Sequence, residues 1–276
     1  MVTLERQNIY GWPVILDLFF AGAGASLYLL GYVLHLLKTT TSLIYFFSGL
    51  GLVAVGTFFL LWDITIRRRI VFLLANPRSW TTIGTWAISF FLLCGIIYLA
   101  TFSFPLLPKG LRNLTGIIST VTSLLIMLYP GFLISSIKAV PLWYTPLTPL
   151  LFFSVNLTSG LATTLLVALY VAEPLSLISG LERATMICLC FQLILLFLFL
   201  LPGTRNDAAT KESLRQLRAS HFFLKIALLG GFLPLFLFLK GNNSFAILGI
   251  IFVLTGGLYL RYGIINAGVY LPRFEL

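Results

Sequence analysis

The chain has 276 residues, 59% hydrophobic and only 9% charged, with a mean hydropathy of +1.03 and a formal charge of +10. A soluble domain carries about 25% charged residues, so a water-facing surface all round is out of reach for this sequence. Its lateral surface must face lipid, where an ionised side chain at a helix centre costs about 2.5–3.5 kcal/mol. Nucleic-acid binding is a poor reading of the basic charge, because so little of the protein can meet water.

The apolar runs are continuous and lack the strict alternation of a membrane β-barrel. Each is close to the ~20 residues that a helix needs to cross the hydrocarbon core with its backbone polar groups satisfied. Eight spans are predicted, at roughly 13–37, 42–65, 83–104, 111–137, 146–171, 180–202, 219–239 and 244–268. Turn-forming and charged residues separate them, among them Lys38-Thr-Thr-Thr, Arg67 to Arg69, Pro105 to Pro108, Pro141, Pro174 and Asn242-Asn243. Two connections are long: residues 66–82, and Gly203 to Ser220, the one strongly polar stretch, which reads as a loop. The first apolar segment, Trp12 to Leu37, is too long for a signal core and has no basic leader, so it is expected to stay in the protein.

In span one, Asp17 lies five residues after Trp12, about one and a half turns into the helix. Helical steps from it meet Ala21, Gly24, Tyr28 and His35, with Gly31 and Tyr32 alongside. That face is small and polar and lets a second helix or a flat ligand come close. An acid inside a membrane span is a candidate for function; the alternative is an acid near the interface that only bonds a neighbouring helix. Asp63 ends span two, four residues before Arg67 to Arg69, and suits a structural ion pair.

Tyr129 stands in the second half of span four, which runs back toward the end where span one begins, so it shares the depth of Asp17. A carboxyl group and a phenol at one depth can hydrogen-bond the two oxygens of a quinone or quinol, and the acid, when ionised, can take a quinol proton. Taken alone, a tyrosine near the interface reads as part of an aromatic belt. Pro130 follows at once and should kink the helix. Glu173, Glu182 and Arg183 gather around the connection between spans five and six, as a proton route or as a solvated loop.

Arg261 interrupts the last span; it either snorkels to the interface or faces a buried acid or anionic group. His35 and His221, the two histidines, fall toward opposite faces, which excludes a haem held by two histidines. Cys94, Cys188 and Cys190 all lie in apolar runs and are too few for an iron–sulfur cluster, which needs four ligands. No P-loop, zincin or nucleophile-elbow pattern occurs.

An even number of spans puts both termini on one side, here side A. Of the 18 Lys and Arg, all but Lys38, Lys109, Arg112, Arg183 and Lys240 fall on side A, which the positive-inside rule places in the cytoplasm.

Four segments together resemble the polysulfide-reductase (NrfD-type) family of membrane subunits: WPVILDLFFAGAGASLYLL from Trp12, ANPRSWTTIGTW from Ala75, the stretch Tyr129 to Ala162 with YPGFLIS and VPLWYTPLTPLLFF, and GGLYLRYGIINAG from Gly256. They keep the family's order over nearly the whole sequence. The resemblance implies an all-α anchor of two four-helix bundles, here residues 1–139 with the quinone site and 140–276, carrying neither haem nor cluster. It also implies a ferredoxin-like iron–sulfur partner subunit and, through it, a catalytic subunit of molybdopterin type. The quinone, menaquinone or ubiquinone, is a bound substrate held among the first four helices on the face that docks the iron–sulfur subunit.

By motif, the family's polar first-helix residue falls on Asp17 and its fourth-helix tyrosine on Tyr129. Some members carry histidine or asparagine where this protein has Asp17 and Val14, and the usual Asp-Leu-Gly-Arg-Pro after helix two reads Asp63-Ile-Thr-Ile-Arg-Arg. Asp17, Tyr129, Val14 and Tyr28 are therefore the expected quinone contacts, with Asp17 as proton acceptor. Asp63, Arg261, His35, Glu173 and Glu182 are the candidates for a proton path or for structural ion pairs. The rival readings are a small multi-pass transporter, disfavoured because the polar residues gather near one face, and a purely structural anchor.

Overall fold

The computed structural model describes residues 5–7, 10–63, 78–104, 107–201, 207–219 and 221–270. It is the expected all-helical membrane fold. The helices are α1 (Trp12–Leu36), α2 (Ile44–Asp63), α3 (Trp80–Ser103), α4 (Lys109–Ser135), α5 (Leu147–Tyr170) and α6 (Leu175–Leu200). They are followed by α7 (Ala208–Ala219), α8 (Phe222–Phe238) and α9 (Asn243–Asn266). Among the described residues seven helices are long and apolar enough to cross a membrane, and eight spans result when α7 and α8 count as one bent span.

Proline sets many of the starts. Pro13 lies in the first turn of α1, and Pro108, Pro146 and Pro174 immediately precede α4, α5 and α6. Its fixed φ suits a helix start, and its missing N–H is one of the donors a first turn leaves unbonded anyway. Pro174 starts α6 five residues earlier than the polar Ser176, Ser179 and Gly180 suggest.

The polar stretch from Gly203 to Ser220 is not simply a loop. It contains α7, whose first turn is capped by Asp207 accepting from the Thr210 N–H at 2.8 Å. Leu214 and Leu217, three apart, turn to one buried face while Lys211 and Arg215 stay outside. Polarity misled here because an amphipathic helix needs only one apolar stripe. α7 meets α8 at 54°. α8 carries a π turn at Leu228–Phe232, where Gly230 lies against Gly256 of α9.

α1 and α5 are the central helices: 72% and 67% of their span residues are covered, against 33% for α2 and for α6. The distribution of residue types is the reverse of a soluble protein's. Phe47, Phe58, Phe90, Ile96, Ile187 and Ile194 point outward, while Ser, Thr and Asn side chains of α4 and α5 are buried. With lipid outside, apolar side chains gain nothing by turning inward, and helices associate through close backbone approach and internal hydrogen bonds. α1 and α2 show this most plainly, since a Cβ at Gly24 would lie 2.7 Å from the Gly49 carbonyl oxygen.

α1 packs on α2, α4, α5 and α9; α3 on α2 and α4; α5 also on α4, α6 and α9; and α8 on α9. Arg6 and Val269 form an antiparallel bridge, with Gln7 N–H donating to Gly268 O and Tyr270 N–H to Glu5 O. The segments before α1 and after α9 therefore meet at one end of the helices, which is side A.

Candidate functional site

At 1.5 Å per residue, Asp17 lies about 8 Å along α1 from its side A end, and Tyr129 about 9 Å from the side A end of α4. The structure brings the two together. The Tyr129 hydroxyl donates to Asp17 Oδ2 at 3.2 Å, and both residues are buried. Asp17 Oδ1 has no hydrogen-bond partner among the described residues.

Glycines on the other two helices make the room. A Cβ at Gly84 of α3 would lie 2.6 Å from the Tyr129 ring, and one at Gly56 of α2 would lie 3.1 Å from the Asp17 carbonyl oxygen. All four of the first helices thus contribute to one small region. Val14, one turn before Asp17, is buried beside it on the same face.

A buried carboxyl group and a buried phenol, joined to each other and held by packed helices, provide one proton acceptor and one hydrogen-bond donor in a low-dielectric setting. A buried carboxyl oxygen without a partner costs free energy, roughly 1–3 kcal/mol or more. Sites that keep such an atom are therefore candidates for ligand or proton chemistry.

The other expected residues divide. Tyr28 is buried, but eleven residues further along α1, about 16 Å from Asp17. Its hydroxyl shares a 2.8 Å hydrogen bond with Ser119 Oγ, and its ring meets Phe46 and Phe91 edge-on. His35 packs between Phe46 and Phe102 at the far end of the same helix. Glu173 is neither free nor simply solvated, since it accepts from the Thr40 and Tyr45 hydroxyls and ties the α5–α6 turn to the α1–α2 turn. Glu182 is half-buried on α6 and Arg183 is exposed. The Asp63 side chain and Arg67 to Arg69 lie outside the described residues.

Arg261 does not sit as the snorkelling reading expects, and an amide stands where an acid was expected. The arginine is wholly buried, so it does not snorkel, and no ion pair to it occurs among the described residues. Its guanidinium donates to Gly257 O at 2.9 Å and to Asn156 Oδ1, and it lies 5.4 Å from the centroid of the Phe19 ring. A neutral amide can take one guanidinium nitrogen of an arginine that has no acid partner, because the guanidinium offers only donors and the amide oxygen accepts.

Asn156 is the residue that sequence reasoning missed. The available signal was an amide in the middle of an apolar span, where every unpaired polar group is costly. Ser119 and Gly84 gave no such signal, because serine and glycine abound in these helices.

The family model described as polysulphide reductase, NrfD, matches residues 2–272. The chain belongs to the NrfD family. One subunit of the polysulfide reductase of Wolinella succinogenes is 26% identical to this NrfD-family protein over an alignment of 306 positions, covering 96% of each. In this NrfD-family protein the first-helix acid and the fourth-helix tyrosine, far apart in sequence, are direct hydrogen-bonding partners.

Proposed function

We propose that this protein is the membrane anchor and quinone-interacting subunit of a respiratory oxidoreductase complex. It exchanges electrons between a membrane quinone and an iron–sulfur partner subunit docked at side A. The observation that carries the reading is the buried, hydrogen-bonded pair of Asp17 and Tyr129, with one carboxyl oxygen unsatisfied. Family membership and the relative's designation as one part of a polysulfide reductase support a role within a multi-subunit complex.

On this reading the Tyr129 hydroxyl turns from Asp17 to donate to one quinone oxygen, and Asp17 receives the proton of a bound quinol. Oxidation of one quinol releases two electrons, which leave for the partner's cluster, and two protons. Asp17 takes one proton at a time and passes each toward water at side A. Residues 1–139 supply this site, and residues 140–276 form a second four-helix group against which α1 and α4 lean. The basic residues assigned to the side A loops support a cytoplasmic setting for that face. The partner is a ferredoxin-like subunit that in turn serves a molybdopterin-type catalytic subunit.

The test uses the whole complex purified through this subunit. Asp17→Ala is expected to lower quinol-linked turnover by about a hundredfold, the usual scale for a lost acid–base group. Tyr129→Phe is expected to lower it about tenfold at limiting quinol, through a raised KM, as for one lost hydrogen bond to the bound quinol. Turnover with an artificial electron donor to the catalytic subunit should stay unchanged. Unaltered quinol turnover in both variants rejects the site, and purification without an iron–sulfur subunit rejects the partner.

A further inference from the structure

Tyr129 follows two residues after Met127 and immediately precedes Pro130, where α4 lacks a backbone N–H and the carbonyl of Ile126 loses its usual partner. A helix stretch weakened in this way needs outside support to hold a side chain in register. α5 gives it on both sides of Tyr129. Before it, Asn156 Nδ2 donates to the Met127 carbonyl oxygen at 2.7 Å. After it, Gly131 lies so close to α5 that a Cβ there would come within 2.5 Å of Pro149 Cα.

An amide can be turned either way round, and what fixes it is the polarity of its neighbours. Here both neighbours are one-signed. The Arg261 guanidinium can only donate, and it takes Asn156 Oδ1. The Met127 carbonyl can only accept, and it takes Nδ2. The three groups form a relay from α9 through α5 to α4, in which each bond polarises the next. Gly22 of α1 gives the amide its space, since a Cβ at that position would overlap Asn156 Oδ1. All of this lies wholly buried, against Gly22, which helical geometry turns about 140° around α1 from Asp17.

We propose that Asn156 and Arg261 are positioning residues for Tyr129: they brace α4 at the Pro130 break and set the height at which the phenol meets Asp17. The inference rests on the quinone reading only for its kinetic consequence. The geometric part stands without a quinone.

The experiment therefore has two readouts on the full-length protein in its purified complex. The first is the infrared band of Tyr129 in tyrosine-labelled protein, isolated by subtracting the Tyr129→Phe spectrum, with no quinone added. Asn156→Leu removes both hydrogen bonds. Asn156→Asp keeps an oxygen for Arg261 and a sound fold, but as an ionised partner it has no proton to give Met127. Both variants should shift the Tyr129 band, and a band left in place in Asn156→Asp overturns the proposal.

The second readout is quinol kinetics. Asn156→Asp should raise KM for a short-chain quinol about tenfold with kcat kept within about twofold, the scale of one lost or misaligned hydrogen bond. Added to Tyr129→Phe, it should raise KM no further, because the two act as one unit. Effects that multiply overturn the proposal in favour of a general structural role. If the band shifts while Tyr129→Phe leaves quinol kinetics untouched, the brace stands and the quinone reading falls.

Discussion

Two polar pairs flank α1, and by helical rise Asn156 lies about one turn deeper than Asp17. On the side of α2, α3 and α4 stand Asp17 and Tyr129; on the side of α5 and α9 stand Asn156 and Arg261. Both are buried, and each joins an ionisable side chain to a neutral one. They differ in how their hydrogen bonds are spent. The first pair makes a single bond of 3.2 Å and leaves a carboxyl oxygen over. The second uses the amide at both ends and two guanidinium nitrogens, leaving only Nε without a partner among the described residues. In lipid, where no bulk water can repair an unmade bond, a nearly completed set of bonds marks a joint between helices. An acid with a spare oxygen is a candidate for a place that a ligand or a proton reaches.

That contrast can be broken most sharply at Asp17. Asp17→Asn preserves shape and can still accept from Tyr129, but cannot take up a proton. Quinol-linked turnover should fall about a hundredfold, with unchanged amounts of complex in the membrane and an unchanged thermal midpoint. A large drop in midpoint would instead make Asp17 a joint like Asn156. Next in size is Gly84→Val, which forces a side chain against the Tyr129 ring. Misplacing a reacting group by about an ångström costs up to a hundredfold, so a loss of about tenfold in turnover is expected, measured beside the artificial-donor rate. The smallest effect belongs to Glu173→Gln, which weakens the tie between two turns at the opposite end of the helices. Thermal unfolding should show a loss of at most about 1 kcal/mol, and quinol turnover should not change; a fall there would bring side B into the proton path.

The first pair was legible in the sequence and the second was not, for a geometric reason. Helical rise converts residue number into depth, so Asp17 and Tyr129 could be set level by counting from the breaks at Pro13 and near Pro141. Facing is harder, because it depends on the rotation of each helix about its axis, which packing decides. Tyr28 shared the helical face of Asp17 yet went to Ser119, since a face is long and a site is short. An arginine inside a span reads as costly and calls for an acid, but its partner in the fold is an amide on α5. α7 went unread because hydropathy alone hides a short amphipathic helix in a polar stretch.

The brace is completed by α9, which follows every other helix in the sequence. Membrane helices enter in order of synthesis, and N-terminal parts pack while later ones are still being made. Asp17 and Tyr129 can therefore find each other when only four helices have been inserted. Arg261 reaches Asn156 only once α9 has left the ribosome. The arginine is thus the last member of the relay to arrive. Nascent proteins arrested before α9 should already bring Asp17 and Tyr129 together, as a cysteine cross-link between α1 and α4 would report, while Asn156 still lacks its partner on α9.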